Sequence, residues 1–93
     1  MTIDMLFNFP RTRFVEENTY IDQALHIYSE GVEVRAAAAA SDMIHLDEEV
    51  IDCLHSCETY LRMRAERDNI DLRSLMHQVA EKNEKRGYYH ADN

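Results

Sequence analysis

The chain has 93 residues, enough for one small domain and too few to bury a large core, so association with further copies is expected from size alone. Eighteen Asp and Glu against ten Lys and Arg leave a formal net charge of −8, which argues against the basic face a dedicated duplex-DNA binder needs. Two glycines, one proline and plentiful Ala, Leu, Glu, Arg and Met point to an all-α chain. No apolar run is long enough to span a bilayer and no signal-peptide pattern opens the chain, so a cytoplasmic protein with no membrane partner is expected.

Residues 1–15 read as an N-terminal arm. Met5, Leu6, Phe7 and Phe9 are apolar and Pro10 breaks any helix, so the arm turns locally or packs on a partner subunit. Arg11 and Arg13 are placed to reach an anionic ligand, although solvated arginines are the simpler reading.

A domain spanning 16–88 follows, with a short tail over 89–93. The first long helix is predicted from Glu16 or Asn18 to about Ala40, with Ile21, Leu25, Tyr28 and Val32 as its buried stripe at i, i+4, i+7, i+11. Ile27 and Val34 form a second apolar line, and the run Ala36 to Ala40 permits close helix approach. Ser41 or Asp42 caps a second helix over about Met43 to Arg67. Its stripe is Met43, Leu46, Val50, Leu54, Cys57 and Leu61, and its tail from Arg62 to Arg67 reads as polar and exposed. Cys53 and Cys57 read as reduced core thiols, because a zinc site would need further ligands. Asp71 caps a third helix from Leu72 to about Arg86, with the stripe Leu72, Leu75, Met76, Val79 and Ala80 and a stop at Gly87.

Two acidic patterns stand out. Glu30 and Glu33 are three residues apart, as are Glu49 and Asp52, with 15 residues between Glu33 and Glu49. An i, i+3 pair lies ~60° apart and about 4.5 Å along a helix, so two packed helices can gather four carboxylates into an oxygen-lined site suited to Mg²⁺. A helical wheel supports the plainer alternative. Glu30 and Glu33 fall opposite the Ile21 stripe and Glu49 and Asp52 opposite the Val50 stripe, as a solvated face would. Against it, the i+4 positions are Val34, Ala37, Cys53 and Ser56, none of them a cation. Like charges about 5 Å apart repel by roughly 3 kcal/mol at an effective dielectric of about 20. The acids are therefore either apart or held together by a cation. On the third helix, Lys82, Asn83 and Arg86 continue the apolar line. They either complement the helix dipole or hold an anion such as phosphate.

These residues resemble the MazG-like all-α nucleoside triphosphate pyrophosphohydrolases, whose pattern is ExxE, a spacer, then ExxD. Glu30-x-x-Glu33 and Glu49-x-x-Asp52 supply it, Asn69-Ile70-Asp71 looks like the family's turn, and Lys82-Asn83-Glu84-Lys85-Arg86-Gly87-Tyr88 looks like the ending of its third helix. The similarity spans about residues 20–88. Ser29 departs from it, since many members carry a further Glu there.

The resemblance implies three main helices per chain, completed into four-helix bundles in a homodimer or homotetramer. It implies cleavage of a nucleoside triphosphate between the α and β phosphates. Glu30, Glu33, Glu49 and Asp52 would ligate Mg²⁺, or Mn²⁺, and carry the chemistry. Lys82, Asn83 and Arg86 would hold the substrate. No nucleic-acid polymer is implied as a partner. Phosphoribosyl-ATP pyrophosphohydrolase, with the same build, is one alternative, and a non-catalytic helical interaction protein that keeps an acidic site is another.

Overall fold

The computed structural model describes residues 7–89, and the tail beyond Tyr89 and the apolar Met5 and Leu6 lie outside them. Among the described residues four α-helices follow in order: α1 (Phe14–Glu17), α2 (Tyr20–Ala39), α3 (Met43–Asp68) and α4 (Leu72–Lys85). There is no strand among the described residues, and no helix of theirs is long and apolar enough to cross a membrane.

Local chemistry sets the helix ends. The predicted first helix is split: Asn18 is extended (φ −86°, ψ 147°) and separates the single turn α1 from α2. Thr19 then starts α2 with a reciprocal pair of bonds. The Asp22 amide donates to Thr19 Oγ1 at 3.0 Å, and the Thr19 amide donates to Asp22 Oδ2 at 3.2 Å. Asp42, rather than Ser41, caps α3 by accepting from the His45 amide, and Ser41 takes a left-handed turn (φ 57°) before it. Asp71 caps α4 through the Ser74 amide and hydroxyl. Gly87 follows α4 at φ 81°, a backbone state open to glycine without strain.

α2 lies along α3, but not through the predicted stripe. Ile21, Leu25, Tyr28 and Val32 are exposed, Ile21 by 73%. The opposite face is turned inward: Gln23 and Ala37 are buried there, and Ile27 and Glu30 half-buried. What holds this seam is polar as well as apolar. Gln23 Nε2 donates to the Ser56 carbonyl (3.0 Å) and hydroxyl (3.3 Å), while Gln23 Oε1 accepts from Asn18 Nδ2 at 2.9 Å. A buried amide satisfied in this way avoids a desolvation cost of about 1–3 kcal/mol.

The C-terminal half of α3 also departs from expectation. Met63 is fully buried and Ala65 nearly so, although the segment reads as polar and exposed. The reason lies some fifty residues earlier in the chain, where residues 7–13 and α1 wrap this part of α3. Arg11 forks onto Glu66 (3.1 and 2.9 Å) and holds that carboxyl below the usual range. Arg67 donates to the carbonyls of Val15 and, at 2.7 Å, Asn18. Arg13 pairs instead with Glu17 on its own turn. The described part of the arm is thus seated on its own chain.

The apolar stripes of α3 and α4 face each other across an open groove of about 500 Å³, lined by Leu54, Cys57, Leu61, Leu75, Met76 and Val79 among others. Cys53 and Cys57 are free thiols and half-buried, and burial, with Cys53 alongside, pushes the Cys57 thiol up.

Candidate metal centre

Three of the four predicted carboxylates meet. Glu30 from α2 and Glu49 and Asp52 from α3 each offer an oxygen, and these lie within 4.8 Å of one another. Seam geometry explains it. Because α2 turns its Ile21 stripe outward, its opposite face, which carries Glu30, meets α3 one turn before Ser56. Glu30 and Glu49 are half-buried and Asp52 is exposed, so the cluster sits at the rim of the seam, open to solvent. Glu33, one turn further along α2, is exposed and lies outside this group.

Two histidines flank the carboxylates. His26 Nε2 lies 3.2 Å from Glu30 Oε1, and His45 Nε2 lies 3.4 Å from Glu49 Oε1. Both histidines precede their glutamate by four residues, so each acid has a partner one turn back on its own helix. A search of the i+4 positions misses them, whereas the i−4 positions would have found both.

A pocket of about 180 Å³ adjoins the carboxylates. Glu30 and Asp52 line it, together with Thr12, Phe14, His26 and His55. The Phe14 ring meets His26 edge-on at 5.4 Å. His55 Nε2 donates to the Pro10 carbonyl at 3.2 Å, and its ring stacks on Phe9 at 4.5 Å. The arm and α1 therefore form one wall of the pocket.

The predicted substrate-binding residues lie at the end of α4. Lys82 and Arg86 are exposed and Asn83 is half-buried. Arg86 donates to Tyr88 Oη at 3.3 Å and lies over that ring. Among the described residues no ion pair joins these three to the carboxylates.

The donor set suits a hard divalent cation: oxygen only, from carboxylates on two helices. Oxygens around one Mg²⁺ at about 2.1 Å sit ~3 Å apart when adjacent and ~4.2 Å apart when opposite. The observed span of at most 4.8 Å is a little wider than that. No protein-family profile, curated protein or solved structure matches the chain.

Proposed function

We propose that the chain is a Mg²⁺-dependent nucleoside triphosphate pyrophosphohydrolase of the MazG-like kind, cleaving between the α and β phosphates to give a nucleoside monophosphate and pyrophosphate. The observation that carries this reading is the convergence of Glu30, Glu49 and Asp52 across the seam between α2 and α3. Anions gathered this closely repel one another, even where solvent at the rim of the seam screens part of the repulsion. A divalent cation offsets that repulsion.

Glu30, Glu49 and Asp52 would hold Mg²⁺, or Mn²⁺, while Glu33, exposed one turn further along α2, would stand outside the metal site. The ion, when bound, neutralises triphosphate charge and promotes attack by water. The carboxylates would hold the ion beside the triphosphate, and one glutamate would take the proton of the attacking water. Lys82, Asn83 and Arg86 would bind phosphate and sugar oxygens, with Arg86 leaving Tyr88 to do so.

The proposal includes a homo-oligomer. Ile21, Leu25, Tyr28 and Val32 form an exposed apolar line along α2. Covering each is worth about 1.5–3 kcal/mol, so the four together rival the net stability of a small domain. A second copy laid on this line would complete a helical bundle. The same line favours the second reading, a helical interaction protein without catalysis, in which it meets a different chain.

Side-by-side assays of ribo- and deoxyribonucleoside triphosphates and phosphoribosyl-ATP test the proposal. Pyrophosphate release from simple triphosphates supports it, turnover of phosphoribosyl-ATP alone moves the chain to that sister activity, and no release with any of them favours the interaction protein.

A further inference from the structure

Glu58 lies on α3 with only 5% of its surface exposed, and its side chain reaches away from the carboxylate cluster toward the arm. A buried carboxylate is costly unless donors meet it. Here the main donors are backbone amides. Phe7 N donates to Glu58 Oε2 at 3.1 Å and Phe9 N to Oε1 at 2.7 Å, while Arg62 adds a longer contact at 3.4 Å. Asn8, between the two amides, is left-handed (φ 53°). A left-handed residue between alternate amides turns both toward one anion, making a backbone nest around the carboxylate. Arg62 also donates to the Phe9 carbonyl at 3.1 Å, so the arm is gripped through donor and acceptor at once.

From that grip a chain of contacts runs to the pocket. Phe9 stacks on His55 with the rings 14° from parallel, and the neighbouring Pro10 carbonyl accepts from His55 Nε2. A carbonyl can only accept, so His55 Nε2 is the donor in this bond. Thr12 next bonds Thr59 hydroxyl to hydroxyl at 3.3 Å, and Thr12 and Phe14 enter the pocket wall.

We infer that Glu58 is a positioning residue: it ties down the arm, and the arm fixes the His55 ring and sets Thr12 and Phe14 into the wall of the pocket beside the carboxylates. Its effect on turnover rests on the proposed pyrophosphohydrolase reading; its effect on the arm and on His55 does not.

The test compares the full chain with Glu58→Ala and Glu58→Gln. Glutamine keeps one acceptor oxygen, so it retains half the grip and serves where alanine fails to fold. Amide exchange at Phe7 and Phe9 should accelerate on the order of tenfold or more in the variants. Long-range nitrogen–proton spectra should show the His55 ring signals shift as Nε2 loses its bond to the Pro10 carbonyl. With a nucleoside triphosphate and Mg²⁺, KM should rise on the order of tenfold while kcat changes little, the signature of lost binding rather than lost chemistry. Unchanged exchange at both amides would overturn the inference. So would an arm set free with His55 and KM both unmoved, since Glu58 would then act on the arm alone. Should the unaltered chain release no pyrophosphate, the reaction reading fails by itself, and the exchange and imidazole spectra still decide the role of Glu58.

Discussion

Glu30 on α2 and Glu49 on α3 bring carboxylate oxygens within 4.8 Å of each other, and each has a histidine one turn earlier on its own helix. The two halves of the site are thus built alike, from an i, i+4 His–Glu pair on each of two packed helices. Asp52 completes the set, and Glu33 stands outside it. Glu49→Gln should therefore stay folded, keeping its helical circular dichroism and cooperative melt, while turnover falls by at least about 100-fold. Glu33→Gln should lose less than about tenfold. Equal losses at the two positions would put Glu33 inside the working site, and near-normal turnover by Glu49→Gln would remove Glu49 from it.

A cation that binds only the folded cluster stabilises the fold by mass action. At a concentration about 100-fold above Kd the gain is about 2.7 kcal/mol, and for a chain of this size each kcal/mol raises Tm by about 4–8 °C. Melting in Mg²⁺ or Mn²⁺ should rise by about 10 °C or more, and Glu49→Gln should abolish most of that rise. An equal rise in the variant would place the ion elsewhere.

The exposed line on α2 makes a prediction about mass. Leu25→Glu and Tyr28→Glu replace exposed apolar groups, so they should leave the fold of one chain intact. Across a buried interface the same charges would be unpaired and costly. Light scattering or sedimentation should show a multimer for the unaltered chain and a smaller species for the variants. A monomeric unaltered chain at high micromolar concentration would contradict the homo-oligomer.

Low pH should loosen the start of α4. The Ser74 amide, then its hydroxyl, hold the Asp71 carboxyl below the usual carboxylate range. A group depressed on folding stabilises the fold while ionised. That contribution is complete above the ordinary Asp value of about 4 and is lost as pH falls through the lower folded value. Chemical shifts of Leu72 to Leu75 should move toward coil values below about pH 4. Asp71→Asn, which keeps a capping oxygen but does not ionise there, should remove that dependence.

How much was legible in the chain depends on how local each cause is. Asp42, Asp71 and Gly87 mark helix ends through bonds and dihedrals within a few residues, and their roles are readable from residue type and spacing. The Ile21 stripe is different. Periodicity says that one face of α2 is apolar, but not which neighbour covers it, and within one chain Gln23 and Ala37 take the inner position. The polar end of α3 misleads for a related reason. Arg62, Glu66 and Arg67 look solvated because their partners are the backbone and side chains of an arm about fifty residues away. The acidic spacing leaves open whether the carboxylates gather, since packing through the Ile21 stripe would turn Glu30 away from α3; Glu30 meets Asp52 because α2 packs through its other face. His26 and His45 were equally readable, one turn back on the same helices.

The most direct measurement of the central claim is pyrophosphate release from a panel of nucleoside triphosphates by the full chain, with Mg²⁺ and with a chelator. The account predicts steady release of pyrophosphate and nucleoside monophosphate that starts with Mg²⁺ and stops with the chelator. Release that is indifferent to divalent ions, or no release from any triphosphate, would contradict it.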